Sequence, residues 1–412
     1  MNWISDIYYV FQIFFLIILS INVLYHFVFS LASLFPIRLH LPQAGSYRKI
    51  AILIPGYKED NVMLDVAKDA LNQDYPREKY DVVVIADSFA ETTIAQLKEM
   101  PVKLIEVSFD KSTKSKALNQ AMSLLPDDYD VAVVLDADNI MIPGFLSQIN
   151  NFFASKPDSA VQGHRVPKNA NTPFAVLDGI SEEIGNQMFR KGHAVLGLSS
   201  GIVGSGMAFG YTYFKNTMAK IKAVSGFDKE LEIIMLKERH RVYYLPDALV
   251  YDEKVQNADA FSKQRRRWLF SQYYYLRIAF VDALTGLITR GDFNFFNKVF
   301  QWIMFPRIII IGLMCVVAPL FVLLELLVFQ VFITPVWIIL FSVFILTFVM
   351  AIPKKYYNRQ TLSAIGYIPQ GAFLMFKTFF SLKGANKNFI HTPHGAVEEN
   401  QTTVSEINMI KE

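Results

Sequence analysis

Two long stretches without charged side chains constrain the fold of this chain more than any other feature. Residues 7–37 contain no Asp, Glu, Lys or Arg, and residues 308–353 contain only Glu325. A helix needs about 20 apolar residues to cross a bilayer. The first stretch therefore predicts one membrane span, at about residues 8–34, and the second predicts two spans with a turn at 332–335. The composition agrees, since 52% of the residues are hydrophobic.

The basic residues that flank these stretches predict the orientation of the chain in the cell membrane. Lysine and arginine are enriched on the cytoplasmic side of membrane spans. The N-terminus is therefore expected outside, with the central region and the C-terminal tail in the cytoplasm. Because no basic residue precedes the first stretch, it is expected to be an uncleaved anchor. The flanking residues are Arg38, Arg48, Lys49, Lys354, Lys355 and Arg359.

The chain divides into five predicted segments. The single cysteine, Cys315, excludes an internal disulfide. A net charge of only +3 gives no reason to expect nucleic acid as a partner. The segments are an N-terminal membrane anchor (1–46), a cytoplasmic domain (47–275), interfacial helices (276–306), two transmembrane helices (307–354), and a cytoplasmic interfacial helix with a polar tail (355–412).

Short apolar runs in the central segment predict an α/β domain. Strands that alternate with helices predict a mostly parallel, Rossmann-like sheet with helices on its faces. In such sheets ligands bind beyond the carboxyl ends of the strands, so the residues that follow each strand are the candidates for a site. The predicted strands are 50–54, 81–86, 102–107 and 131–135, and the predicted helices include 62–71 and 116–125.

Acidic side chains follow three of these strands. Glu59 follows the first strand, Asp87 follows the second, and Asp136 and Asp138 follow the fourth. Each alone is consistent with a turn, because Asp is a common turn residue. Gathered at one sheet edge, they repel each other unless a cation or a hydrogen-bonding ligand lies among them. A divalent ion completed by substrate phosphates is the usual solution, so a nucleotide diphosphate with Mg²⁺ or Mn²⁺ is the expected ligand.

A lysine-rich segment, KSTKSKALN at 111–119, precedes one of the predicted helices. Positive charge is unfavourable at the start of a helix, which favours a phosphate-facing role for Lys114, with a solvated helix start as the alternative. Neither G-x-x-x-x-G-K-[ST] nor G-x-G-x-x-G follows the first strand. This absence argues against a P-loop ATPase and a dinucleotide-dependent oxidoreductase.

The segment KQRRRWLFSQ at 263–272 combines basic and aromatic residues. In a helix, Gln264, Arg267 and Trp268 share one face. Arginine suits a diphosphate leaving group and tryptophan offers a surface against which a sugar packs. Arg265 and Arg266 point elsewhere and are expected to contact lipid phosphates. A membrane-surface role for the whole segment is the alternative.

Six motifs, taken in order, resemble those of the membrane-bound family 2 glycosyltransferases. That family comprises inverting enzymes of the GT-A fold, related to cellulose, chitin and hyaluronan synthases. The resemblance covers about residues 48–270 and implies an α/β GT-A domain accompanied by membrane helices. The motifs are Pro55-Gly-Tyr57-Lys-Glu59, Asp87, Lys114 with Ala117-Leu-Asn119, Asp136-Ala-Asp138, Gly204-Ser-Gly206 and Gln264-Arg-Arg-Arg267-Trp268.

The resemblance implies a UDP-sugar donor and a role for each matched residue. Tyr57, Glu59 and Asp87 would hold the uridine portion, and Asp138 would bind the metal. The residues assigned to nucleotide-sugar binding are therefore Pro55, Tyr57, Glu59, Asp87, Lys114 and Asp136.

The same resemblance requires a general base, which in the family is usually the Asp of a Thr-Glu-Asp triplet. The matching stretch here, GFDKELE at 226–232, carries Glu230 at the third position. A carboxylate near an acceptor hydroxyl accepts its proton, so Glu230 is the expected base, with Asp228 and Glu232 as alternatives. A single base without a second, paired carboxylate favours displacement with inversion. Catalysis is assigned to Glu230, Gln264, Arg267 and Trp268.

Two functions are consistent with these residues. The first is an inverting transfer of a sugar from a UDP-sugar to a lipid-linked or polysaccharide acceptor at the cytoplasmic membrane face. The second is a catalytically silent membrane partner of a polysaccharide synthesis or export assembly, which binds nucleotide without transfer. Asp136, Asp138 and the acid at 230 favour the enzyme. A processive synthase with three spans would need an oligomer or export partners to form a channel, whereas transfer of one sugar to a lipid would not.

Overall fold

The computed structural model describes residues 3–329 and 333–381. The turn predicted at 332–335 lies partly outside these ranges, and the polar tail beyond 381 lies outside them. The strands are β1 (Ile50–Tyr57), β2 (Tyr80–Asp87), β3 (Lys103–Val107), β4 (Val131–Val134), β5 (Ile140–Met141), β6 (Ala160–Pro167), β7 (Met207–Gly210) and β8 (Val242–Asp252). The helices are α1 (Trp3–Ala32), α2 (Asp60–Leu71), α3 (Glu91–Glu99), α4 (Lys114–Leu124), α5 (Phe145–Ser155), α6 (Pro173–Gly185), α7 (His193–Val195), α8 (Tyr211–Met218), α9 (Phe227–Lys237), α10 (Ala258–Arg290), α11 (Phe293–Ile303), α12 (Arg307–Leu324), α13 (Thr334–Ala351), α14 (Arg359–Ile365) and α15 (Ile368–Phe380).

The sheet is mixed and mostly parallel, as the alternation of strands and helices predicts. Its order is β3-β2-β1-β4-β7-β6-β8-β5, and its first four members pair in parallel. Strand β7 runs antiparallel to β4 and β6, and β8 pairs in parallel with β6. The carboxyl ends of β1, β2, β4, β6 and β8 therefore lie at the same edge of the sheet.

Apolar side chains on both faces bury the central strands completely. In β1, Ile50, Ile52 and Ile54 pack against α2 and α5 on one face. Ala51 and Leu53 pack against α4, α8 and α9 on the other face. Parallel strands that are covered on both faces are expected to have nearly continuous apolar runs, which is why these strands could be located from the sequence.

Among the described residues, three helices are long and apolar enough to cross a membrane, in agreement with the three predicted spans. They are Trp3–Ala32, Arg307–Val328 and Thr334–Ala351. They pack together through a cluster of buried apolar residues that includes Leu19 and Trp337.

Helix α10 connects the α/β domain to the apolar helices. It runs without a break from Ala258 to Arg290, so the boundary expected at residue 275 falls within one helix. Its C-terminal half exposes Ile278, Val281 and Ile288. Such exposed apolar side chains are expected of a helix that lies at a membrane interface.

The first apolar helix also packs directly on the α/β domain. The backbone after α6 forms a π-helical segment, Asn186–Gly192. A Cβ atom at Gly192 would lie 2.3 Å from the carbonyl oxygen of Phe29, so only glycine permits this contact. The ring of His193 stacks on Phe29 with centroids 3.9 Å apart. This contact positions α1 relative to the sheet.

Candidate active site

One cavity of about 480 Å³ opens at the carboxyl edge of the sheet and is also lined by α10, α11 and the start of α12. It brings together all but one of the predicted site residues, and Glu230 is the exception. The predicted residues that line it are Pro55, Tyr57, Glu59, Asp87, Lys114, Asp136, Asp138, Gln264, Arg267 and Trp268.

Tight turns after β1 and β2 place two buried carboxylates on the cavity wall. Lys58 and Ser88 have positive φ angles of 55° and 61°. The N–H of Lys58 donates to the carbonyl oxygen of Asp87 at 3.0 Å, which joins the two turns. Glu59 and Asp87 are only 6% and 2% exposed. Carboxylates held in this way accept hydrogen bonds from the N–H and O–H groups of a ligand.

Three further carboxylates form a group that we call the aspartate triad. One oxygen each of Asp136, Asp138 and Asp252 lies within 4.8 Å of the other two. Asp252 ends β8, whose carboxyl end lies at the same sheet edge as that of β4. Asn139 connects the three residues. Its Nδ2 donates to Asp138 Oδ1 at 3.3 Å and to Asp252 Oδ1 at 3.1 Å, and its Oδ1 accepts from the N–H of Asp136 at 3.1 Å.

Three cations balance the charge of the aspartate triad. Lys114 forms an ion pair with Asp136. Arg165 Nη2 and Lys254 Nζ each lie 2.6 Å from Asp252 Oδ2. Burial alone would raise the pKa of Asp136, but Lys114 and Arg165 outweigh burial and hold that pKa below its usual range. Asp136 is therefore anionic at neutral pH.

The aspartate triad is consistent with a divalent cation. Carboxylate oxygens are the protein ligands that Mg²⁺ and Mn²⁺ prefer. Asp138 and Asp252 are the buried members that would hold the ion, with Asp136 beside them. Since lysine and arginine already contact Asp136 and Asp252, the protein alone would hold the ion weakly and phosphate oxygens would complete its coordination. A bound ion would supply positive charge to a departing diphosphate.

Helix α10 presents a polar face to the cavity. Gln264, Arg267 and Trp268 all line it, as their spacing predicts. Gln264 Oε1 is buried and has no hydrogen-bond partner among the described residues. Burial lowers the pKa of Arg267, and the attraction of Asp136 and Asp228 offsets part of that shift. The guanidinium of Arg267 is therefore within electrostatic reach of both carboxylates.

The expectation that Arg265 contacts lipid is wrong. Its side chain is only 11% exposed and forms an ion pair with Asp178 of α6, which is 8% exposed. Its guanidinium carbon lies 4.9 Å from the ring centre of Phe261 and 4.3 Å from that of Trp268. Successive residues of a helix are turned by about 100°, which directs Arg265 towards α6 and away from solvent. The lipid contact of Arg266, which is partly exposed, stays a prediction.

Glu230, the expected base, lies outside the cavity, and its role stays a prediction. Its Oε2 accepts from the hydroxyl of Tyr275 at 3.4 Å, and its Oε1 accepts from the N–H of Lys222 at 3.5 Å. Glu230 does not line the cavity, whereas Asp228 does, with its side chain 18% exposed. Residues two apart on a helix do not share a face, so these two carboxylates point in different directions. Asp228, one of the alternatives, is the better candidate for the base.

Glu232, the other alternative, lines the cavity but is engaged in a buried ion pair. Its Oε1 lies 2.9 Å from Lys298 Nζ, and the two side chains are 4% and 3% exposed. Burial raises the pKa of Glu232, and Lys298 offsets only part of that effect. The pair connects α9 to α11, which indicates a structural role.

Arg165, Asp252 and Lys254 are charged residues of the site that were not found from the sequence. Arg165 and Asp252 belong to β6 and β8, which were not predicted as strands. Asp252 directly follows the apolar run ALVY at 248–251, the same pattern that identified Asp87. Arg165 has no comparable signal, because it lies within a strand.

A mostly parallel sheet with an aspartate group at its carboxyl edge and a cavity beside it is the arrangement expected of the GT-A fold. Residues 48–271, more than half of the chain, match the family described as glycosyltransferase like family 2. The chain therefore belongs to this family, and the fold and family predicted from its motifs are confirmed. Its relationship to cellulose, chitin and hyaluronan synthases stays a prediction.

Individual relatives are distant. The beta-monoglucosyldiacylglycerol synthase of Nostoc sp. (strain PCC 7120) is 25% identical over 235 residues, which cover 56% of this chain and 50% of that protein. The probable glycosyltransferase YdaM of Bacillus subtilis is 23% identical over 241 residues, which cover 55% of this chain and 56% of that protein. The chain spans about half the length of the relatives it matches. The mannosyltransferase PcManGT from Pyrobaculum calidifontis, solved in complex with GDP-Man and Mn²⁺, has the same fold. The TM-score is 0.51 at 13% sequence identity, and the match covers 93% of this chain and 96% of that one.

Proposed function

We propose that this chain is an inverting glycosyltransferase that transfers a sugar from a UDP-sugar, with Mg²⁺ or Mn²⁺, to an acceptor held in the membrane. The observation that carries the proposal is the extent of the cavity. The aspartate triad lines part of it, and α10, α11 and the start of the apolar helix α12 line another part. Nucleotide sugars are water-soluble and lipids are not, so an enzyme that joins them needs a site that both can reach.

The donor would bind along the sheet edge. Tyr57, Glu59 and Asp87 would hold the uridine, as the motif resemblance implies, and the aspartate triad would hold the ion and the diphosphate. The likeness to PcManGT, whose solved structure is a complex with GDP-Man and Mn²⁺, supports a nucleotide sugar and a divalent ion. UDP as the nucleotide rests on the motif resemblance alone, so GDP-mannose is the comparison that the test requires.

Asp228 would act as the general base. It would take the proton of the acceptor hydroxyl while the hydroxyl oxygen forms a bond to C1 of the sugar. The bond between C1 and the diphosphate oxygen would break on the opposite side, and UDP would leave with the electron pair. Arg267 would stabilise the charge that develops on the diphosphate. Trp268, which is 39% exposed, would pack against the sugar ring.

The acceptor and the topology are also part of the proposal. The domain at 47–275 would lie in the cytoplasm, with the N-terminus outside and three spans in the membrane. A lipid acceptor is supported by the Nostoc relative, which is named for a glucosylated diacylglycerol. Transfer of a single sugar to a lipid requires no channel, so three spans suffice.

Release of UDP by the purified full chain in detergent tests the proposal. We expect release from at least one of UDP-glucose, UDP-galactose and UDP-N-acetylglucosamine, dependent on added lipid and abolished by EDTA. Asp138→Asn should abolish both transfer and metal-dependent UDP binding. Asp127→Asn is the matched control, because Asp127 is 79% exposed and pairs with Lys215, away from the cavity.

The other outcomes are also informative. Metal-dependent UDP binding without turnover of any donor would identify a catalytically silent binding partner. Release of GDP from GDP-mannose, without release of UDP, would show that the assigned nucleotide is wrong. Loss of binding in Asp127→Asn as well as in Asp138→Asn would show that the assay reports general instability.

A further inference from the structure

Arg307 lies where the apolar helix α12 borders the cavity, and it forms no ion pair with any residue that the structure describes. It is the first residue of the apolar helix α12 and it lines the cavity. Its Nη2 donates to Ser181 Oγ at 3.2 Å, and its guanidinium carbon lies 5.5 Å from the ring centre of Phe189. Its Nη1 is buried without a hydrogen-bond partner in the described part of the chain. No carboxylate in residues 3–329 and 333–381 forms an ion pair with Arg307.

The charged groups that act on Arg307 are already paired with one another. These groups are Arg265, Asp178, Arg190 and Glu182. Arg265 is paired with Asp178, and Arg190 Nη2 lies 2.9 Å from Glu182 Oε1. Each pair is neutral, so Arg307 adds an unbalanced positive charge. Leaving such a charge buried is costly, and an anion bound beside Nη1 would remove that cost.

Gly185, which has no side chain, lies beside the guanidinium of Arg307 on the cavity wall. Gly185 lines the cavity, and a Cβ atom there would lie 3.4 Å from Nη1 and 3.6 Å from Nη2 of Arg307. A ligand oxygen fits the space that this missing atom leaves. The planar fork of an arginine matches two oxygens of a phosphate group. Phosphate is therefore the chemistry that best fits this position.

We propose that Arg307 binds a phosphate group of the lipid acceptor, which makes a phosphate-bearing lipid the substrate and not a neutral one. This inference rests on the proposed function and specifies its acceptor. The diphosphate of the donor is the other possible source of phosphate. The charged groups that act most strongly on Arg307 include no member of the aspartate triad, whereas Asp136 is the carboxylate that acts most strongly on Arg267. A place at the start of a membrane-crossing helix suits a lipid headgroup.

Binding of dodecyl phosphate to the full chain in dodecyl maltoside, without nucleotide or metal, tests the inference. We expect saturable binding of dodecyl phosphate and none of 1-dodecanol. Arg307→Gln should weaken the binding at least ~10-fold, as expected for loss of a charge-assisted contact. Arg290→Gln, a change at an exposed arginine of α10, should leave it unchanged. Gly185→Ala keeps the charge and suits a helix, but it fills the space beside Nη1 and should also weaken binding.

Three results would overturn the inference. The first is unchanged affinity for dodecyl phosphate in both Arg307→Gln and Gly185→Ala. The second is equally tight binding of inorganic phosphate, which would identify a site for a free anion. The third is a loss of Mn²⁺-dependent UDP binding in Arg307→Gln with dodecyl phosphate binding intact, which would assign Arg307 to the donor. Failure of the proposed function itself would appear as absence of UDP binding in the unmodified chain, and it would leave the dodecyl phosphate measurement interpretable.

Discussion

Replacing Asp228 with asparagine removes a proton acceptor from the cavity wall while keeping the size of the side chain. Asp228 lies in the first turn of α9, lines the cavity and is 18% exposed. Glu230, in the same turn, contacts Tyr275 and does not line the cavity. Glu230→Gln is therefore a matched control that makes the same chemical change two residues away.

The expected loss of rate is much larger than the expected loss of stability. A positioned base contributes about 10²- to 10⁴-fold to a proton transfer, which corresponds to about 2.7–5.4 kcal/mol at 1.36 kcal/mol per tenfold change. A carboxylate in the first turn of a helix contributes only about 0.3–1 kcal/mol to folding through the helix dipole. The nearest lysine contact of Asp228, Lys229 Nζ at 3.9 Å, adds little, because such pairs contribute at most about 1 kcal/mol.

The assay is UDP release at saturating donor and Mn²⁺, together with UDP binding and thermal unfolding in detergent. Asp228→Asn should lower kcat at least ~100-fold, with UDP affinity and Tm nearly unchanged. Glu230→Gln should change kcat less than ~3-fold, since it alters a contact outside the cavity. A ~100-fold loss in Glu230→Gln with nearly normal turnover in Asp228→Asn would refute the reasoning from cavity position.

Three further predictions concern the metal, α10 and α6. Mn²⁺ should bind about 10- to 100-fold more tightly with UDP than without it, because phosphate oxygens complete its coordination. Asp252→Asn should reduce this difference in calorimetric titrations. Equal Mn²⁺ affinities with and without UDP in the unmodified chain would contradict the prediction. Arg265→Ala should lower the free energy of unfolding by about 3 kcal/mol, because it leaves Asp178 buried and unpaired. The double variant with Asp178→Ala should lose less stability than the sum of the two single variants. A purely lipid-facing Arg265 would show neither effect. Burial tends to raise the pKa of Glu183, but its partners, His164 first among them, hold that pKa at about 2 instead of 4.5. The stability that this carboxylate contributes is complete above about pH 4.5 and is lost as pH falls towards 2. The free energy of unfolding of Glu183→Gln should therefore vary less with pH over that range than that of the unmodified chain.

The part of the site that depends on strand ends could be predicted from the sequence. Asp87 ends β2, and Asp136 and Asp138 directly follow β4. These strands are covered on both faces, so their apolar runs are long enough to recognise. Since parallel strands place their carboxyl ends at one edge, three separate acidic positions could be assigned to one site.

Asp252 and Arg165 were not predicted, for different reasons. Strand β8 contains Pro246 and the exposed Asp247, so its apolar residues fall in two short runs, 242–245 and 248–251, and the second of these is the only local signal for Asp252. Strand β6 shifts its register against β8 between Gly163 and His164, and this irregularity has no simple pattern in the sequence. The ion pair of Arg165 with Asp252 depends on the long-range pairing of β6 with β8, which local periodicity does not report.

The sequence does not decide which acid of α9 faces the cavity. Asp228 and Glu232 are four residues apart and share a helix face, while Glu230 lies between them on another. The spacing shows that the three acids divide into two sets, but it does not show which set faces the cavity. That depends on how α9 packs against the sheet, where Leu231 and Met235 are buried in the core.

Helix α6 explains why neighbouring arginines of α10 have different roles. Its Asp178 pairs with Arg265, and its Glu183 lies 2.9 Å from Lys355, which follows the last apolar helix. These pairs connect α6 to α10 and to the segment that follows α13. Arg267, two residues after Arg265, is turned by about 200° on the helix and lines the cavity. A basic segment that looks uniform in sequence therefore contains one arginine that pairs with α6 and one that lines the cavity. Changes at Arg265 are expected to lower the stability of the protein before they alter donor affinity.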